Sequence, residues 1–180
     1  MTAWQISFLE FIRHWQELYG DVFWDKAFVF ITSLGNGGFI WLLIIVFLLY
    51  NKKTRTLGWS CLWAFLIALI LVTFIKEIVD KPRPYQLLAW QIIIPPPHGS
   101  SFPSGHTATA FAMAFAVFFQ QKKLSIPFFF LAFLMGFSRI YLLVHYPLDV
   151  LAGLGLGFLA ALFSCQLIVP LLRKKLPQKT

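Results

Sequence analysis

Three short stretches of this 180-residue chain carry side chains that could act on a phosphate. Lys76 and Arg83 are separated by six residues and followed by Pro84; Pro103, Ser104, Gly105 and His106 are consecutive; Ser138 and Arg139 precede His145 and Asp149. Taken alone, Lys76 and Arg83 read as interfacial anchors, because long basic side chains readily reach headgroups. Arg139 lies inside the apolar run from Leu124 to Val144, where an unpaired guanidinium is costly. Three converging cations bind phosphate well, and arginine offers its oxygens bidentate hydrogen bonds.

Ser104 stands where an apolar helix begins and can cap it. Open amides and the positive end of the helix dipole attract an anion there, and Gly105 lets the backbone approach closely. His145 and Asp149 are four residues apart, so on one helix face the carboxylate orients the imidazole and stabilises its protonated form. One histidine is then available to attack phosphorus while the other, His106, protonates the leaving oxygen.

Asp149 is the one carboxylate of the three stretches expected to point inward, and two histidines at this spacing match no zinc motif. No metal or other cofactor is expected, since Lys and Arg supply the charge stabilisation; Glu77 and Asp80 are the acids that would alter this. His14 and His98 lie outside the stretches, and His98 reads as a solvated loop residue. Cys61 and Cys165 sit in apolar runs with no CxxC or histidine neighbour and read as small buried hydrophobes.

The elements that position these residues must be membrane helices. Hydrophobic residues make up 59% of the chain and charged ones 12%, against roughly 25% charged in a soluble domain. Apolar stretches near 30–50, 57–79, 105–121, 124–143 and 147–172 each approach the roughly 20 residues that cross a bilayer. Residues 21–33 could form a separate short helix, with Gly35, Asn36, Gly37 and Gly38 as a break. The expected fold is therefore one all-α domain over 1–180: a polytopic bundle of five or six helices within 21–175, preceded by an amphipathic interfacial helix within 1–20. Trp4, Phe8, Phe11, Ile12, Trp15 and Leu18 recur there at helical spacing. Pro and Gly make residues 80–103 a long connection, embedded in part through Leu87, Leu88, Trp90 and Ile92 to Ile94. Gly153, Gly155 and Gly157 read as close helix packing.

The basic residues Lys52, Lys53, Arg55, Lys122, Lys123, Arg173, Lys174, Lys175 and Lys179 fall at one end of five alternating spans, and all seven acids fall at the other. Lys and Arg collect on the cytoplasmic side, so the three stretches should face outward. The net charge of +8 thus follows topology, and no nucleic-acid partner is expected.

Together the three stretches resemble the signature of the type 2 phosphatidic acid phosphatase family, relatives of vanadium haloperoxidases and bacterial acid phosphatases, and every signature position between Lys76 and Asp149 is filled. The resemblance implies a metal-free lipid phosphatase with no cofactor. In it His145 would be the nucleophile that forms a phosphohistidine, Asp149 its partner and His106 the general acid. Lys76, Arg83, Arg139, Ser104 and the Gly105 amide would hold the phosphoryl oxygens. The chain is similar to compact bacterial members, which implies an inner-membrane enzyme with an outward-facing site and undecaprenyl diphosphate as substrate. Phosphatidylglycerophosphate, phosphatidate and lipid A 1-phosphate stay open, as do phosphotransfer to another lipid and oligomeric state. A lipid-binding or scrambling protein would have no need of the two histidines.

Overall fold

A computed structural model describes residues 2–20 and 22–171. The described residues form helices and no strand: α1 (Ala3–Tyr19), α2 (Val22–Leu34), α3 (Phe39–Tyr50), α4 (Arg55–Ile78), α5 (Pro84–Leu87), α6 (Gly105–Gln120), α7 (Ser125–Tyr141) and α8 (Pro147–Phe163). The last continues through a π-helical turn to Leu171. Three helices are long and apolar enough to cross a bilayer, or four if the bent pair α2–α3 is one span, and the chain is a multi-pass membrane protein. The basic tail from Arg173 to Lys179 and Asp21 lie outside the described residues.

The apolar stretch at 30–50 is not one straight helix. It bends by 50° at the glycine break, where Gly37 and Gly38 take φ of 59° and 73°, values that side chains with a Cβ rarely adopt. A Cβ on Gly38 would stand 2.4 Å from the Phe65 ring. Among the described residues the bundle thus has six helices with α2 and α3 counted apart, and α5 is an additional single turn in the proline-rich connection.

At its centre is α6, the shortest of the expected spans. Its 16 residues reach about 24 Å at 1.5 Å per residue, less than a full hydrocarbon core. It is sheathed by its neighbours, with every residue from Thr107 to Ala114 buried. Its alanines allow α8 to pack closely. A Cβ on Gly153 would stand 2.6 Å from Ser104 O, and one on Gly157 2.6 Å from Ala108 O. Gly155 meets open space, so the packing role belongs to two of the three glycines. On the outside, Phe47, Ile70, Phe74, Ile126, Phe130, Phe133 and Leu159 are exposed, as lipid-facing residues must be.

Helix α1 buries Leu9 and Ile12 while exposing Trp4, Phe8, Phe11 and Leu18. It lies across one end of the bundle, where Gln16 donates to Tyr141 O at 2.8 Å and Gln5 Oε1 accepts from Leu148 N at 3.4 Å. The connection 80–103 packs against a cluster containing Leu9, Ile12 and Tyr141 through Tyr85, Trp90, Ile92 and Ile94, while Leu87 and Ile93 are exposed. At the opposite end, Gln120 donates to Ser60 Oγ and Ser164 Oγ donates to Ser60 O at 2.8 Å. Cys61 and Cys165 are free thiols.

Candidate active site

All eight expected residues gather at the α1 end of the bundle. Arg83 is fixed first by its sequence context. The following proline holds it extended (φ −80°, ψ 157°) at the start of α5. Its buried guanidinium donates to Gly99 O at 3.1 Å, His98 O at 3.1 Å, Ser100 O at 3.3 Å and Val144 O at 3.0 Å. Its Nη1 also stands 3.3 Å from His145 Nε2. Lys76, in the last turn of α4, donates to Ser100 O and lies within electrostatic reach of Arg83, Arg139 and Asp149. The His98 ring is exposed and takes no part; only its backbone carbonyl does.

Ser104 caps α6 as expected: its Oγ accepts from Thr107 N at 3.4 Å and from Thr107 Oγ1 at 2.8 Å. The amides of Gly105 and His106, in the first turn, have no intrahelical partner. A Cβ on Gly105 would meet only Val72 Cγ1 at 3.4 Å, so the space above this helix end is open. Ser104 N donates to Asp149 O at 3.0 Å, which ties the starts of α6 and α8 together.

His145 sits in the tight link between α7 and α8. Leu143 there adopts φ of 57°, a left-handed conformation that costs about 1–3 kcal/mol in a non-glycine residue. Arg139 O accepts from both Val144 N and His145 N, and this turn aims the imidazole inward. Burial, opposed by Asp149 and reinforced by the Arg139 and Arg83 cations, pushes its pKa down to about 3. The ring is therefore neutral, with Arg83 donating to Nε2 and the proton on Nδ1.

Asp149 lies in the first turn of α8 and is fully buried. Its Oδ2 accepts from Tyr146 N at 3.0 Å and Ser101 Oγ at 2.5 Å, and its Oδ1 from Lys81 Nζ at 2.6 Å. The His145 Nδ1 to Oδ2 distance is 3.6 Å, just beyond a hydrogen bond, and Nδ1 has no partner. Arg139 Nη1 donates to Thr32 Oγ1, while its buried Nε is unpartnered. His106 Nε2 lies 3.1 Å from Asn36 Oδ1 and within electrostatic reach of Arg139, His145 and Lys76. Glu77 and Asp80 are exposed beside the site, and no three of His, Cys, Asp and Glu among the described residues gather as metal ligands.

Four neighbours escape sequence reasoning: Thr32, Asn36, Lys81 and Ser101. Asn36 carried the best signal, as an asparagine between glycines, but that pattern reads equally as a helix break.

The family profile described as the PAP2 superfamily matches residues 57–172. The undecaprenyl-diphosphatase BcrC of Bacillus subtilis is 32% identical over 144 residues, which span 78% of this chain and 75% of that protein. The crystal structure of Aquifex aeolicus LpxE superposes with a TM-score of 0.76 at 31% identity, covering 88% of this chain and 94% of that one. A transmembrane PAP2 type phosphatidylglycerolphosphate phosphatase from Bacillus subtilis superposes with a TM-score of 0.72 at 26% identity, covering 99% of this chain and 90% of that one.

Proposed function

The chain belongs to the PAP2 superfamily and is a membrane lipid phosphatase, and we propose that its substrate is undecaprenyl diphosphate, cleaved through a phosphohistidine at His145. The likeness to BcrC over three quarters of both chains supports this substrate. The observation that carries the mechanism is the imidazole of His145, buried beside Asp149 with its Nε2 3.3 Å from the Arg83 guanidinium.

An arriving phosphoryl group takes over the Arg83 Nη1 donor and frees the Nε2 lone pair. The unpartnered Nε of Arg139 gains an acceptor, removing the cost of a buried unsatisfied donor. Lys76, Ser104 and the Gly105 amide complete the cradle for charge that builds in the transition state. The Nε2–P bond forms as the bond from phosphorus to the bridging oxygen breaks, and His106 protonates that oxygen as the lipid monophosphate departs. The imidazole is now cationic, and closing 3.6 Å to hydrogen-bond length lets Asp149 accept from Nδ1–H. His106 then takes a proton from water, the oxygen attacks phosphorus, and the Nε2–P bond breaks to give inorganic phosphate. No step calls on a metal. The site would face outward from a bacterial inner membrane, where the basic loops at the other end meet the cytoplasm.

A second reading, phosphatidylglycerophosphate hydrolysis, is favoured by the structural neighbour of that name, which covers 99% of this chain. Phosphate release by the purified protein across lipid phosphates and diphosphates, with EDTA and His145→Ala arms, separates these. The expected result is highest kcat/KM on undecaprenyl diphosphate, indifference to EDTA and loss of release in His145→Ala. Preference for phosphatidylglycerophosphate, phosphatidate or lipid A 1-phosphate would replace the substrate; inhibition by EDTA or an active His145→Ala would overturn the mechanism. Phosphate appearing on an added lipid alcohol rather than in water would make the enzyme a transferase.

A further inference from the structure

Lys81 belongs to none of the eight expected positions, yet both its backbone and its ammonium are held. Its backbone is held on both sides, with Lys81 N donating to Ser100 Oγ at 3.1 Å and Lys81 O accepting from Ser101 N at 2.8 Å. Its ammonium ends 2.6 Å from Asp149 Oδ1. It also lies 4.2 Å from the centre of the Tyr146 ring and 5.7 Å from that of Phe102. Two aromatic faces and a carboxylate leave it little freedom to swing toward a substrate. The carboxylate it meets is fully buried, where an unpaired charge would be costly.

We propose that Lys81 is a positioning residue for the phosphohistidine step: it holds Oδ1 of Asp149 so that Oδ2 faces His145 Nδ1. The inference rests on His145 being the nucleophile. Before phosphoryl transfer the His145 ring is neutral and cannot balance the carboxylate; Lys81 does so, aided by Ser101 and Tyr146 N on Oδ2. When the ring becomes cationic, Asp149 is already ionised and oriented, and only the 3.6 Å gap to Nδ1 has to close. Without the ammonium, the carboxylate would meet the new cation from a different rotamer or in its protonated form. The other charged and titratable groups about Asp149 are His145, Tyr146, Lys76 and Arg83. Arg83 is engaged by loop carbonyls and Lys76 by Ser100 O, so neither replaces Lys81.

The test compares Lys81→Met, Lys81→Gln and Lys81→Arg with the wild type, using full-length protein in detergent and whichever lipid phosphate it turns over fastest. Phosphate release gives kcat and KM, and an alkaline quench, under which the acid-labile phosphohistidine survives, lets it be trapped directly. In Lys81→Met, kcat should fall roughly 10- to 100-fold, the loss expected of a misaligned catalytic group, with KM changed less than about threefold. The acid limb of kcat/KM should move to higher pH, because the carboxylate has lost its cation, and Lys81→Arg should restore both kcat and the limb. A raised KM with unchanged kcat would make Lys81 a substrate-binding cation and overturn the proposal, as would unchanged kinetics and pH profile. If Lys81→Met does not fold, Lys81→Gln gives the same readings. An active His145→Ala would remove the underlying mechanism, whereas an inactive His145→Ala beside a fully active Lys81→Met removes this inference alone.

Discussion

The imidazole of His145 departs from its ordinary chemistry, and the departure has a sign that can be measured. Its pKa, pushed down to about 3 by burial and by Arg139 and Arg83 against the pull of Asp149, lies below the ordinary 6.5. A depressed basic group binds fewer protons in the folded than in the unfolded state between those values. Its contribution to stability is therefore whole above pH 6.5 and is lost progressively as pH falls toward 3, reaching on the order of 2 kcal/mol at pH 5. Two outcomes follow at pH 5. Nitrogen chemical shifts of labelled histidine should report a neutral His145 ring, and the melting temperature should be lower than at pH 7. A cationic His145 at pH 5 would mean that the guanidinium does not rest on Nε2. The six ionisable candidates were legible because each is of a type that a bilayer tolerates only with a partner, and Ser104 and Gly105 because they stand where an apolar helix begins. Lys81 and Ser101 were not legible, since a lysine and a serine in a polar connection are unremarkable until the chain folds back onto Asp149.

At the scale of elements, the start of α6 was readable from Pro103, Ser104 and Gly105, whose backbone effects are local. The break between α2 and α3 was readable as a break and not as a wall of the site, because what it touches comes from about 70 and 107 residues further along. Gly35 carries the consequence. A Cβ there would stand 2.6 Å from His106 Cδ2 and 2.9 Å from Met135 Cε. Its backbone is helical (φ −86°, ψ −10°), so alanine brings no strain of its own. Gly35→Ala should therefore act by displacing the His106 ring, lowering kcat on the order of 100-fold while the protein still elutes and melts as a folded species. Gly37→Ala is the matched contrast: it has open space around a φ of 59°, so it should cost about 1–2 kcal/mol of stability and leave kcat nearly unchanged. Equal kcat losses in the two variants would show that the break, rather than its contact with His106, is what activity requires.

For the whole molecule, loop charge and helix connectivity together predict which way it sits in the bilayer. If the bent pair α2–α3 crosses once and the shorter α6 crosses as well, then α2–α3, α4, α6, α7 and α8 make five crossings, and the connections 51–54 and 121–124 share one face while 79–104 and 142–146 share the other. Lys52 and Lys53 and then Lys122 and Lys123 occupy the first face; the candidate site occupies the second, covered in part by α1 with Arg13 over the Trp90 ring at 5.1 Å. Positive charge holds short loops in the cytoplasm, so the site should open outward, where a lipid diphosphate left by an extracellular transfer reaction would arrive. Single cysteines at Pro97 and at Lys122, introduced after replacing Cys61 and Cys165, test this in intact cells with a membrane-impermeant thiol reagent. Pro97→Cys should label without permeabilisation and Lys122→Cys only after it. The reverse pattern would put the site in the cytoplasm and remove the topological support for an outer-leaflet substrate while leaving its chemistry intact. Labelling of both from one side would mean that α2–α3 or α6 does not cross as a single span, and the five-crossing arrangement would have to be abandoned.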